Sequence, residues 1–290
     1  MFFYKISKIY NFATICRLRR IFYLCAHYQF YMTLINTPKE VLALAGRSAA
    51  DKLRNPASKT LILAFLAGAY IAIGGLFSLI AGFGFPGAAE APGFQRLLSG
   101  AVFPLGLILV VFTGAELFTG NNAVLVPGAL GRQYGWSRVL RNWGLVYIGN
   151  FAGALFFTWF LVVVPGVLSS ELWQKAACGI AQAKVSMPWM TVFLRGVGAN
   201  WLVCLAVWLG LSANDVPGRM MGLFFPIMCF VAIGYEHCIA NMFFIPLGMM
   251  LGAPVTCGEF FIDNLIPSTL GNIVGGGLFV GGLYWHLNRK

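Results

Sequence analysis

Six long hydrophobic blocks, near residues 59–83, 97–131, 139–165, 190–213, 219–253 and 265–287, follow one another along the chain with short polar breaks between them. A helix needs about 20 apolar residues to cross the hydrocarbon core of a bilayer. Four blocks therefore read as single spans. The second and fifth are each about 35 residues long and are interrupted near the middle by an acidic residue among glycines and small residues. They read as broken helices, which a membrane tolerates where the freed backbone lines a cavity or is buried in protein.

An internal repeat organises these blocks. Gly114-Ala115-Glu116-Leu117-Phe118-Thr119-Gly120-Asn121 and Gly234-Tyr235-Glu236-His237-Cys238-Ile239-Ala240-Asn241 share Gly-x-Glu-x-x-x-x-Asn at an offset of 234 − 114 = 120. Gly149-Asn150-Phe151-Ala152-Gly153 and Gly271-Asn272-Ile273-Val274-Gly275 share Gly-Asn-x-x-Gly at 271 − 149 = 122. The halves are blocks one to three and four to six, although blocks one and four show no match of their own. Three spans is an odd number, so the second copy enters the membrane from the opposite side. The expected fold is an all-α integral membrane protein of six transmembrane helices in two inverted three-helix repeats, about 59–165 and 190–287. A path for substrate is expected between the broken second and fifth blocks.

Composition supports this reading. Of 290 residues, 59% are hydrophobic and 10% are charged, against about 25% charged in a soluble domain. An ordinary soluble enzyme and a large extramembrane domain are both excluded. The net charge of +11 would suit nucleic acid if it formed a stripe on a soluble core, but the cations sit mostly between hydrophobic blocks, so no nucleic-acid partner is expected. Lys39 to Lys59, Arg132, Arg138, Arg141, Arg219, Arg289 and Lys290 fall on one side, and Arg96, Lys175 and Lys184 on the other. By the positive-inside rule both termini face the cytoplasm. Residues 1–31, basic and aromatic without a small-residue cleavage site, read as a membrane-surface tail or an upstream extension of the reading frame. Thr37, Pro38 and Glu40 form a capping box, predicting a cytoplasmic amphipathic helix within 32–58. The seven cysteines form no Cys-x-x-Cys pair, and no metal or cofactor is expected.

Several polar residues sit where hydrocarbon is expected. A titratable side chain at the bilayer centre costs at least about 2.5 kcal/mol, which makes His237 a functional candidate; the bland reading is a core histidine satisfied by Glu236 or an asparagine. Glu116 and Glu236 occupy equivalent positions and are expected to be structural, their carboxylates accepting from backbone N–H groups freed at the helix breaks. Asn121, Asn241, Asn150, Asn272 and Asn200 suit bridging between helices. Lys184 stands in the loop between the halves, either as a solvated lysine or as a cation that gathers anions; Arg195 can reach the same surface.

The run at 114–121, Asn200-Trp201-Leu202-Val203-Cys204-Leu205-Ala206-Val207-Trp208, the run at 234–242, and Asn264-Leu265-Ile266-Pro267 leading to Gly271-Asn272 resemble the formate/nitrite transporter family over about residues 35–288. The resemblance implies an aquaporin-like protomer, a homopentamer with one pore per protomer, and passage of formate or nitrite through a cytoplasmic (inner) membrane. It implies a central pore histidine at His237 with Glu236 beside it and Asn200 facing it. It further implies apolar constrictions at Phe103, Leu107 and Phe230, a loop aromatic and hydroxyl at Phe118 and Thr119, and a vestibule lysine at Lys184. The run Ser186-Met187-Pro188-Trp189, Arg195, residues 116–120 and the short link between Gly252 and Asp263 look closer to nitrite-type members, so formate and nitrite both stand as expected substrates.

The expected function is passage of small monovalent weak-acid anions through the bilayer, coupled to protons near His237. An aquaglyceroporin-like pore for neutral solutes is the alternative, although paired Asn-Pro-Ala caps are absent. A haem subunit needs paired intramembrane histidines, and among the three histidines His237 alone lies deep in an apolar run. Enzyme chemistry by His237 and Cys238 is disfavoured because adjacent residues rarely point at each other.

Overall fold

The computed structural model describes residues 35–289 apart from Pro86 and Ala89; the tail or extension expected over 1–31 lies outside the described residues. Thr37 opens the first helix, α1 (Pro38–Arg54). Its hydroxyl accepts from the Glu40 amide, and the Glu40 carboxylate accepts from the Thr37 amide at 2.7 Å. The Thr37 amide and, at 2.8 Å, the Thr37 hydroxyl both donate to the Glu40 carboxylate and hold it below the usual carboxylate range. Val41, Ala45 and Ala49, spaced by four, form the buried stripe of α1.

Nine more helices follow among the described residues: α2 (Ala57–Phe83), α3 (Pro92–Thr113), α4 (Phe118–Leu130), α5 (Trp136–Val163), α6 (Glu171–Val185), α7 (Trp189–Ser212), α8 (Val216–Ile233), α9 (Cys238–Met250) and α10 (Glu259–Asn288). Six of them, α2, α3, α5, α7, α8 and α10, are long and apolar enough to cross a membrane. The 13-residue α4 and α9, about 20 Å long, are too short to do so. Each long block of the sequence resolves into a span, a four-residue loop and a short helix.

The six spans form two inverted three-helix repeats, α2 to α5 and α7 to α10. The halves correspond element by element, because α4 and α9 start 238 − 118 = 120 residues apart, and α2 and α7 start 189 − 57 = 132 apart. The first and fourth blocks, without a visible sequence match, are thus matched in structure. Glycines let the paired helices touch. A Cβ on Gly153 would collide with the Phe65 carbonyl oxygen of α2, and one on Gly275 with the Val197 carbonyl oxygen of α7. Small residues at such crossings allow the backbones to meet where hydrophobic driving force between helices is absent.

One expectation is corrected here. Lys184 is not in a loop: it lies in the last turn of α6, which packs on α9 through Ala177 and Ala181. That helix is 15 residues long and a third polar, so no hydropathy block announces it. Its alanines and the Glu171–Lys175 ion pair at 2.6 Å are ordinary helix-forming features.

Candidate transport path

Both interrupted blocks break the same way. α3 stops at Thr113 and α8 at Ile233, where Gly114 (φ 72°) and Gly234 (φ 81°) take the left-handed conformation that glycine adopts without strain. When the chain turns helical again, the first N–H groups lack intrahelical partners. Asparagines from neighbouring spans supply them. The Asn150 side-chain oxygen accepts from the Phe118 amide at 3.0 Å, and that of Asn272 from the Cys238 amide at 2.9 Å. Each donates in turn to two carbonyls: Asn150 to Ala64 and Glu116 (2.7 and 2.8 Å), Asn272 to Gly196 and Glu236 (2.8 and 2.9 Å). The backbone partners expected for the glutamates therefore belong to Asn150 and Asn272.

The two buried carboxylates take side-chain donors instead. Glu116 accepts from Lys52 Nζ at 3.0 Å and Asn121 at 2.7 Å. Glu236 accepts from Lys184 Nζ at 2.9 and 3.0 Å, Asn241 at 2.8 Å and Asn264 at 3.2 Å. Asn121 and Asn241 also donate to Asn142 and Asn264 at 2.9 and 2.6 Å. A buried charge persists only when paired and hydrogen-bonded, and each glutamate is both. The ammonium of Lys184 is thereby committed to Glu236.

The halves differ at one decisive place. Position 117 of the first loop is leucine and its mate, 237 − 117 = 120 residues on, is histidine. His237 caps α9, its Nδ1 accepting from the Ala240 amide at 3.1 Å. With Nδ1 an acceptor, the neutral ring carries its hydrogen on Nε2, which lies 2.9 Å from Thr119 Oγ1. Both side chains are buried. The ring of Phe230 is 5.8 Å from the imidazole and stands edge-on to Phe103 at 5.7 Å.

Among the described residues two cavities lie near this pair, and only the first borders it. One, of about 270 Å³, reaches His237 and is bordered by Phe103, Phe230, Arg96, Lys184 and Tyr235. The other, of about 260 Å³, is bordered by Leu107, Leu117, Gly120, Lys52 and Arg219. Three expected path residues, Phe118, Thr119 and Asn200, border neither cavity, although the Thr119 hydroxyl meets His237. Phe118 lines neither cavity; as the first residue of α4 it packs edge-on to Trp143 and Tyr147 of α5, 6.1 and 5.0 Å away. Asn200 does not bond the histidine but donates to the carbonyls of Thr119 (3.2 Å) and Asn272 (2.7 Å) and to Asn122 (3.1 Å). It braces Thr119 from behind. Leu117, Lys52 and Arg219 border the second cavity and were passed over by sequence reasoning; the repeat alignment that pairs Leu117 with His237 was the available signal for the first of them.

Comparison with known proteins gives a consistent result. The family model for formate/nitrite transporters matches residues 39–286. The chain is 44% identical over 268 residues to a protein of Methanothermobacter thermautotrophicus named a probable formate transporter, covering 88% of this chain and 97% of that one. It is 36% identical over 269 residues to the formate channel FocA of Escherichia coli, covering 86% and 93%. Among solved structures it resembles a pentameric formate channel with formate bound, with a TM-score of 0.73 and 38% identity over 81% of this chain and 98% of that one. With the six spans, the inverted halves and a match over nearly the whole membrane region, the chain belongs to the formate/nitrite transporter family of multi-pass membrane channels and transporters, and is not an enzyme.

Proposed function

We propose that each protomer passes small monovalent weak-acid anions, formate or nitrite, together with a proton, along the path between the two cavities. The observation that carries this reading is the buried His237–Thr119 pair, set between apolar side chains on either side. A bare anion among Phe103, Phe230, Leu107 and Leu117 would meet a desolvation penalty of several kcal/mol or more. Loss of water favours the neutral form of a weak acid. The anion is gathered in a cavity, takes a proton as its hydration falls away, and crosses the slits as the neutral acid.

His237 offers an Nε2–H donor at mid-path and Thr119 a hydroxyl, replacing part of the water the substrate leaves behind. The Lys–Glu pairs and asparagines keep the broken backbone rigid around that point. The chain functions in the cytoplasmic membrane with both termini in the cytoplasm, and five copies assemble as in the pentameric channel it resembles.

The test is initial acidification inside proteoliposomes holding a pH dye. At fixed external formate, a one-unit drop in external pH raises the initial rate by about tenfold while the acid is mostly ionised. Nitrite behaves likewise and glycerol gives no flux. A rate independent of pH, or glycerol passage with no acid response, overturns the proposal.

A further inference from the structure

We infer that Arg96 and Arg219, rather than Lys184 and Lys52, are the cations that draw anions into the two cavities; the inference rests on the reading of the path as one for weak-acid anions. Each cavity is bordered by one lysine and one arginine. The lysines are already neutralised, Lys184 by Glu236 at 2.9 Å and Lys52 by Glu116 at 3.0 Å. Among the described residues, no carboxylate oxygen lies within 4.0 Å of either arginine, so the uncompensated positive charge of each cavity is a guanidinium.

Their placement is paired. Arg96 stands near the start of α3 and Arg219 near the start of α8, the matching helix of the other half, and the offset of 120 between these helices puts 96 opposite 216, one turn from 219. The Arg96 guanidinium lies beside the loop that carries His237, since a Cβ on Gly234 would be 4.0 Å from its Nη1. Arg219 is oriented by its Nε, which donates to the Ala213 carbonyl at 2.9 Å, and among the described residues neither Nη group has a hydrogen-bond partner. Asp215, four residues earlier, is occupied as the α8 cap, accepting from the Gly218 amide at 2.7 Å. Arg195 does not substitute: its Nη1 is taken up by the Met187 sulfur at 3.0 Å and the Gly234 carbonyl at 3.5 Å, and the residue itself is not among those bordering either cavity.

The chemistry suits the substrate class. A guanidinium stays charged at any working pH and offers a planar fork of donors. Carboxylate and nitrite present two oxygens in a plane, which that fork binds in bidentate fashion. A cation in a cleft with low-dielectric walls raises the local anion concentration, and salt screens the effect.

The experiment measures formate-driven acidification in proteoliposomes of the full chain against formate concentration, at low and high salt, for wild type, Arg96→Gln, Arg219→Gln, the double variant and Arg96→Lys. At low salt each single Gln variant raises half-saturating formate by about threefold and the double variant by about tenfold, with maximal rate retained. Salt dependence flattens in step, and Arg96→Lys stays near wild type in salt response while losing part of the preference for formate over chloride. Unchanged half-saturation and salt dependence in the double variant overturn the inference. Equal loss in Arg96→Lys and Arg96→Gln, or a fall confined to maximal rate, also overturns it, because a structural role predicts those results. Failure of wild type to respond to formate at all is a different result, which overturns the proposed function.

Discussion

Replacing Glu236 with leucine lowers the stability of the folded protomer by about 3–5 kcal/mol, read as a drop in the thermal unfolding midpoint of the protein in detergent. Leucine removes the partner of Lys184 and the acceptor for Asn241 and Asn264 together. The remaining ammonium is itself mostly buried, with a side-chain exposure of 16%, so it keeps its desolvation cost and loses the attraction that offset it. The double variant Glu236→Leu/Lys184→Met recovers a large part of the loss, since removing both ends of a buried pair is far less costly than removing one. A double variant as unstable as the single one would show that the asparagines, and not the ion pair, dominate this cluster.

Asn272→Leu has a comparable effect by another route. The side chain is fully buried and close to leucine in size, so packing is largely kept while three hydrogen bonds are lost. The Cys238 amide loses its acceptor at the first turn of α9, and the Gly196 and Glu236 carbonyls lose their donor. Buried polar groups left unpaired cost about 1–3 kcal/mol each, giving a loss of about 3 kcal/mol or more. Hydrogen exchange sharpens the test: amides around Cys238 and Ile239 lose protection in the variant, whereas those around Phe118, served by Asn150, keep theirs. Equal loss at both breaks would mean that the two halves are not held independently.

The asparagine motif was visible in the sequence, and its role was half visible. Gly-Asn-x-x-Gly at 149 and 271 marked equivalent positions, and the glycines do sit at close helix crossings. The spans were legible because hydropathy over about 20 residues is a property of a segment by itself. Pairings between distant residues are not. Lys52 and Glu116 meet only after α1 has folded against α4, and Lys184 and Glu236 only because the unannounced α6 lies over α9. Phe118 and Thr119 are neighbours in sequence, yet a helix turns successive side chains by about 100°. One packs on α5 while the other meets His237, whereas the family resemblance had implied a place on the path for both.

The correspondence of Leu117 with His237 bears on mechanism. Repeats that are otherwise matched in glutamate, lysine and asparagine differ where the loop reaches the buried Thr119–His237 pair. Two histidines would present two donors there; one histidine and one leucine leave a single polar point with an apolar slit beyond it. The pseudo-symmetric scaffold thus holds a site that is itself asymmetric.

The most direct test of this account is formate-driven acidification in proteoliposomes of wild type against His237→Asn. Asparagine is among the best helix N-caps, so its side-chain oxygen can keep the bond to the Ala240 amide while the Nε2–H donor is lost. The account predicts a correctly assembled variant, with an unfolding midpoint near that of wild type, whose initial rate with formate is lower by about tenfold or more, equivalent to about 1.4 kcal/mol in the barrier. A variant that passes formate at the wild-type rate with the wild-type pH dependence would contradict it.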